Sequence, residues 1–441
     1  AMRLGRSLPL HALTPHEREV QRRMNTVAGR LQISAGFARG PAEYALGRGH
    51  LELGEWAAAR RRLERAWALG HRRPEVALAL GDVLGRLARD ASDEALLDPS
   101  SVWAEDRRRW ADATLRASAL DHLRSARGPG LGTGALAEAM VAVHERRSVD
   151  ARQLAQRVIL AVPWLYEARL VEGDAAVEIS AFDEALAAYA AAAEVAPSDP
   201  RIHTAECRTG SLRAATGQLS ADDRESAEAA CDRILVADPD QQRGQLLRAR
   251  LQALSGDLDA AIATVERTRP GRGSSTMVSA AGHRLLAMLY LRRAANTDDP
   301  RDALARAVEH GRRAIALDGS DPGGHATAGR AALALAQALV ASGSTTAESI
   351  ETTLDPLLAD AILALQGYRR LRPEFVPVYA ELARAYLLRA EWLAVAGESP
   401  DDAIRAARRA VARGRRLAPE NDEILGLLDQ LTAAEATAPE S

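Results

Sequence analysis

Aromatic residues make up only 4% of this 441-residue chain, with three Phe, seven Tyr and six Trp. A single thick core built on large rings is therefore not expected. Few residues are β-branched and no segment alternates strictly between apolar and polar, so strands are not expected either. No apolar run reaches the length of about 18 residues needed to span a bilayer. The first ten residues, AMRLGRSLPL, lack the sustained apolar centre of a signal peptide. Ala1 ahead of Met2 has the look of a cloning remnant, which leaves room for a longer parent protein. Charge of one sign is also missing: 57 basic against 60 acidic residues give a net charge of −3, which makes no case for a nucleic acid as main partner. Only two cysteines are present, and they leave the redox compartment open.

What is abundant is alanine within a 47% hydrophobic fraction, which suits helices packed closely in many thin layers. The stretch from Pro163 to Pro197 sets the pattern. Leu165, Ala168, Leu170, Gly173 and Val177 recur at helical spacing, as do Ala185, Leu186, Tyr189, Ala192 and Val195 after a short turn. Asp183 is placed to cap the second helix and Phe182 to pack across its start. Gly173 and Ala185 are small where two helices must approach, and Tyr189 is large where a gap must be filled. Pro197 has no amide hydrogen and stops the second helix. Pro163 to Pro197 is 34 residues, the period of a tetratricopeptide (TPR) helix pair. The fold class expected is all-α: a TPR-like α-solenoid, a right-handed superhelix of antiparallel helix pairs with irregular insertions.

Residues 1–40 should hold a polar leading helix, with Thr14 as cap and Pro15 at its first position. Residues 41–270 accommodate six pairs. Of these, the second (from Pro74) is interrupted by a charged insertion at about 88–110, and the fifth carries LSADD between its helices. PGRGSS at 270–275 is the expected joint. Residues 271–420 hold three divergent pairs, the middle one crossing a Ser/Thr-rich turn at 342–353. Residues 421–434 resemble the polar helix that closes such arrays, and a disordered tail is expected over 435–441.

Chemistry-bearing motifs are sparse. GPGLGTG at 128–134 has the glycine density of a phosphate-binding loop but follows a helix, contains Pro129 and lacks the Gly-Lys-Ser/Thr ending, so an inter-repeat turn is the better reading. His144-Glu145 opens like a zinc-protease motif without the second histidine. No Cys/His cluster has metal-ligand spacing, and no nucleophile–base set can be assembled. No catalytic residue, metal or cofactor is expected. By repeat register Cys207 and Cys231 fall on facing helices, and two buried thiols acting as small hydrophobes are expected in preference to a disulfide.

The first helix of each TPR pair lines the inner face. Aligning the units places Arg48, Asp82, Asp174, Arg208, Arg250, Arg330 and Arg384 at one inward position. A row of guanidiniums suits an acidic or phosphorylated peptide. The plainer reading, a solvated helix face with internal ion pairs, carries more weight. Chaperone-binding TPR domains use asparagine at that position, and this chain has none there.

YALGRGHLELGEWAAARRRLERAWALGHRRPEVALALGDVLGRL (44–87), with SLPLHALTPHEREVQRRM (7–24) and PWLYEARLVEGD (163–174), resembles the TPR region that follows the catalytic domain in a group of bacterial Hanks-type serine/threonine protein kinases. The similarity covers residues 7 to about 240, with divergent repeats beyond. It implies a regulatory, sensing or substrate-recruiting scaffold joined to a kinase domain in the full-length protein. It does not imply kinase activity here, because the glycine-rich loop, nucleotide lysine, HRD-type loop and DFG site are all missing. A membrane span between kinase and repeats would make the region extracytoplasmic, so the compartment stays open, with no membrane insertion by this chain. The expected function is a non-catalytic scaffold that binds a protein or peptide. Two alternatives stand beside it: a ligand-sensing domain whose insertions at 88–110 and 342–353 close a small-molecule pocket, and a self-assembly scaffold.

Overall fold

The computed structural model describes residues 19–20, 22–29, 39–52, 55–98, 101–126, 133–197, 199–237, 242–267, 276–342 and 350–437. Among them every regular element is helical. The expected capped start at Thr14 and Pro15, most of the glycine-rich 128–134 turn, the 270–275 joint and residues 438–441 lie outside the described residues.

The chain divides into two compact units, Ala1–Pro99 with Arg107–Val278, and Ser100–Asp106 with Ser279–Ser441. In the first, α1 (Arg39–Glu52) packs on α2 (Trp56–Ala68), and α3 (Pro74–Glu94) packs on α5 (Ala117–Ser125); α4 (Val102–Trp110) lies between α3 and α5 in the chain, with its residues up to Asp106 belonging to the second unit. The next pairs are α6 (Thr133–His144) with α7 (Ser148–Ala161), α8 (Glu167–Glu178) with α9 (Phe182–Val195), α10 (Pro200–Ala215) with α11 (Ala221–Ala237), and α12 (Gln242–Leu254) with α13 (Leu258–Glu266). In the second unit, α14 (Thr276–Ala294) meets α15 (Arg301–Leu317) through stacked His283 and His310. There α16 (Pro322–Ala341) packs on α17 (Asp355–Leu371) and α18 (Val376–Val395) on α19 (Asp401–Leu417), with α20 (Asp422–Thr437) closing on both of the last two. Within each of these pairs the two helices pack on each other, as a helical-repeat fold requires.

One contact recurs and explains the small-and-large pattern of the sequence. A Cβ added to Gly173 would stand 2.3 Å from the Tyr189 ring, and one added to Gly47, Gly81 or Gly329 would stand 2.7, 2.5 or 2.7 Å from Leu63, Leu123 or Leu365. In each pair the first helix omits a side chain where the second inserts one, which brings the backbones together and leaves Tyr189 fully buried. Cys207 and Cys231 occupy this same place in the α10–α11 pair. They form a disulfide with Cα atoms 5.1 Å apart, which corrects the expectation of two free thiols. The register already made them direct contact partners, and two thiols held at that separation are within bonding reach.

The turn inside a pair repeats as well. After α6, α8, α10, α12 and α18 one residue takes a left-handed conformation: Arg146, Ser180, Gly217, Gly256 and Gly397. After α8, Ser180 N–H donates to Val177 O and Ala181 N–H to Ala176 O, so the frayed carbonyls are satisfied by a Schellman closure. The second helix then starts without the expected cap. Ala181 precedes α9, and Asp183 sits in its first turn, where its carboxylate receives Arg213 at 2.6 Å. Phe182 is buried at the helix start, as its position requires.

The charged insertion is mostly helix. Because no Gly or Pro interrupts the sequence between Arg86 and Leu97, α3 continues to Glu94 and is followed by a 3-10 turn, Ala95–Leu97. A π-helical turn, Ala111–Arg116, joins α4 to α5. The extension sends Asp90, Asp93 and Glu94 beyond the length of an ordinary first helix.

Candidate functional site

In the first unit Arg48 of α1, Asp82 of α3 and Asp174 of α8 line one cavity of about 510 Å³. All three belong to the inward row read from the sequence. Arg48, Asp82 and Asp174 each follow the glycine of the recurrent contact, so the close approach of the helices and the placement of the charge share one cause. Leu78, Leu136, Met140, Val143, Leu165 and Leu170 supply apolar wall.

The polar groups of this cavity are ordered by ion pairs. Arg86 Nε donates to Asp82 at 2.8 Å, and Arg89 lies 3.1 Å from Asp174. Burial opposes ionisation of Asp82, but Arg86, with Arg201 and Arg89 beyond it, outweighs burial and holds the carboxyl below its ordinary pKa. Asp174 also accepts a hydrogen bond from Tyr189 at 3.0 Å. Burial first, then the neighbouring Asp174, keeps that phenol protonated well past its usual range. Arg201 is set by Asp199 and Tyr166, and Asp199 is pulled down to about 2 because Arg201 and the Tyr166 hydroxyl override its burial.

His144 reaches the same cavity from the end of α6. It is 6% exposed, and burial, reinforced by Arg89 and Arg116, lowers its pKa to about 3. The ring is neutral at pH 7. It fits because residue 85 is glycine, where a Cβ would lie 2.3 Å from Nε2.

A narrower cleft continues from Asp174 to Arg208 past Trp56, Arg89 and Asp90. Here the extended end of α3 meets the inward row. Asp93 receives Arg208 in a two-pronged contact of 2.5 and 3.0 Å. Arg250 lies 3.7 Å from Asp90 and 3.8 Å from Glu94, which also takes Arg107 at 3.1 Å. Burial works against the Arg208 charge, but Asp93 more than compensates and raises its pKa. In the second unit Arg330 lies over the Trp103 ring at 5.8 Å, and Arg384 pairs with Glu381 at 3.5 Å and with Glu423.

The structure thus gathers Arg48, Asp82 and Asp174 at one cavity, brings Asp174 and Arg208 to the cleft beside it, and leaves Arg330 and Arg384 in the second unit. Sequence reading missed Arg86, Arg89, His144, Trp164 and Arg201, all of which line the cavity. The signal for Arg86 was its place one turn after Asp82. For His144 the only signal was a glycine on another helix, which becomes legible when the helices are packed. Among the described residues no group of three His, Cys, Asp or Glu side chains could hold a metal, and no helix is long and apolar enough to cross a membrane.

No family model and no curated protein matches the chain. Solved helical-repeat structures are similar to it at low identity. The C-terminal part of a TPR repeat-containing protein from Cytophaga hutchinsonii is 13% identical, covering 66% of this chain and 99% of that one with a TM-score of 0.43. Naa15/Naa10 bound to HypK-THB is 14% identical over 96% of this chain and 75% of that one, TM-score 0.43. The human IFIT1 dimer with m7Gppp-AAAA is 14% identical over 98% and 92%, TM-score 0.39. At these values no partner or ligand transfers to this chain. The TPR-like helical-repeat class rests on the packing of the pairs.

Proposed function

We propose that this chain is a non-catalytic TPR-type interaction scaffold that holds a protein or peptide against the face built by the first helix of each pair. The observation that carries this reading is the convergence of Arg48, Asp82 and Asp174, from three separate first helices, on one cavity. Such a face offers fixed charges beside apolar wall, which suits recognition of a side-chain pattern. Guanidiniums in the inward row, Arg48, Arg330 and Arg384 among them, suit an acidic or phosphorylated segment as the favoured partner chemistry, whereas Arg208 and Arg250 are engaged by Asp93, Asp90 and Glu94 of the chain itself. The resemblance of residues 44–87 to the tails of bacterial serine/threonine kinases extends the reading to a regulatory or substrate-recruiting part of such a kinase.

Photo-crosslinking tests the proposal. A benzophenone amino acid is placed at Arg48 or Arg384 on first helices, or at Val149 and Leu363, which are exposed on the second helices α7 and α17. Crosslinks to one defined protein from the first-helix positions are expected. Equal crosslinking from Val149 and Leu363 rejects the first-helix face as the docking surface.

A further inference from the structure

We infer that the exposed face of α19 docks on an anionic phospholipid surface. Arg405, Arg408, Arg409, Arg413, Arg415 and Arg416 are all exposed along this helix, and no Asp or Glu occurs between residues 403 and 419. Helical periodicity puts Arg405, Arg409, Arg413 and Arg416 on one side over a length of about 16 Å, with Arg408 and Arg415 flanking them. Arginines on the equivalent helix α15 are neutralised within the unit. There Arg306 meets Asp302 at 3.5 Å, Arg313 meets Glu309 at 2.6 Å, and Arg312 pairs with Asp360. On α19, Arg405 pairs with Asp402, but Arg409, Arg413 and Arg415 have no hydrogen bond or ion pair to a described residue, and Arg416 reaches only the Ala412 carbonyl. Arg369 and Arg370, exposed in the last turn of α17, likewise have no partner among the described residues. Arg370 stands ahead of Pro373 as Arg416 stands ahead of Pro419, so the repeat sets both arginine pairs at the same end of successive second helices.

The helix dipole accounts for a cation in the last turn, which covers Arg415 and Arg416 but not Arg409 and Arg413 farther up the helix. The rest of the face narrows the partner. Between Arg405 and Arg416 the only exposed residue other than arginine is Ala412. Nothing there stacks on a base, and no Asn or Gln accompanies the arginines to read one. The chain as a whole carries a net charge of −3, which weighs against a nucleic acid. A bilayer, by contrast, meets only the charges within a screening length of its plane, about 8 Å at physiological salt, so acids elsewhere on the molecule do not oppose it. A cluster of this size on one helix is what an anionic leaflet attracts. The apolar side of α19, with Ile404, Ala407 and Val411, is buried, and the helix packs on α18 and α20. It has nothing apolar to insert, so attachment is peripheral, set by charge and released by salt.

This inference goes beyond the scaffold reading and does not depend on it. The whole chain is sedimented with vesicles of phosphatidylcholine alone or with about 30 mol% phosphatidylserine, in about 0.1 M and about 1 M salt. Retention on the serine lipid at low salt alone is expected, because the screening length falls from about 10 Å to about 3 Å between the two conditions. Each arginine near such a surface is worth about fivefold in partitioning, so Arg409→Gln, Arg413→Gln and Arg415→Gln together should weaken binding about a hundredfold. Arg409→Lys, Arg413→Lys and Arg415→Lys keep the charge and should bind as the unmutated chain does. Arg306→Gln, Arg312→Gln and Arg313→Gln remove the same charge from α15 and should leave binding nearly unchanged. Absence of retention on the anionic vesicles, full retention of the α19 glutamine variant, a lysine variant as weak as the glutamine one, or an equal loss in the α15 variant overturns the inference. A DNA duplex that binds more tightly than the vesicles, and is released by the same three glutamine substitutions, also overturns it and assigns the face to nucleic acid.

Discussion

Asp106 and Arg372 are joined by two parallel hydrogen bonds, from Nε at 2.9 Å and from Nη2 at 2.6 Å, although 266 positions separate them in the chain. The Tyr368 hydroxyl donates to the same carboxylate at 2.6 Å, and Trp103 packs edge-on against both Tyr368 and Phe375 with ring centres 4.8 Å apart. The short segment Ser100–Asp106 is thereby an integral part of the second unit. Asp106 is buried, so removing its carboxylate leaves a guanidinium and a phenol without their acceptor. Asp106→Ala should cost the second unit about 3 kcal/mol. Hydrogen exchange would show faster opening of α17 and α18 with no change in α8 and α9, whereas unchanged exchange in α17 would count against this account.

Gly173 and Gly426 are both helical glycines with opposite expectations. Gly173→Ala drives a methyl into the buried Tyr189 ring at 2.3 Å and should destabilise the first unit by about 1–3 kcal/mol. Gly426 in α20 has nothing within 4 Å of a new Cβ, so Gly426→Ala should stabilise by about 0.5–1 kcal/mol through helix propensity. Denaturant melts of the two variants check both signs at once.

His144 gives the first unit a pH dependence of known sign. Its folded pKa of about 3 lies below its unfolded value of about 6.5. Between those values the unfolded chain binds the extra proton, so stability falls as pH drops from 6.5 toward 3, by up to about 1.4 kcal/mol per pH unit. The groups facing the ring act in both directions, Arg89 and Arg116 lowering the pKa and Asp174 and Asp82 raising it. Asp199, depressed to about 2, contributes stability above its unfolded pKa of about 3.9 that is lost only below it. His144→Gln should therefore flatten the stability profile between pH 6.5 and 4 and leave the steeper acid limb in place. A profile parallel to that of the unmutated chain would refute the assignment.

The Cys207–Cys231 bond closes a loop with a sequence separation of 24. Reduction should destabilise the first unit by about 3 kcal/mol, mainly by freeing the unfolded chain. The paired Cys207→Ala, Cys231→Ala variant should show the same loss and no further response to reductant. A melt of the native protein that is insensitive to dithiothreitol would contradict a bond at this position.

Pair by pair, the architecture could be read from residue order. Proline stops, glycines and alanines at close-approach positions, and a large residue opposite Gly47, Gly81, Gly173 and Gly329 mark where helices start, turn and touch, because those choices act within a few tens of residues. The sequence also placed Arg48, Asp82 and Asp174 at one register position, since register follows from the same repeat. It did not show that Asp183 is left inside the first turn of α9, because the backbone closure around Ser180 makes a side-chain cap unnecessary. It did not show that Cys207 and Cys231 bond, because a distance of bonding length is a property of two packed helices. Nor could it place Asp106 beside Arg372, or join His144 to Gly85. Local spacing fixes the helices and their pairing through short-range sterics, whereas the cavity, its ion pairs and its buried imidazole arise where side chains distant in the chain share one low-dielectric space. That is why the helix pairs were legible in the sequence, whereas the cavity and its lining were decided by tertiary packing.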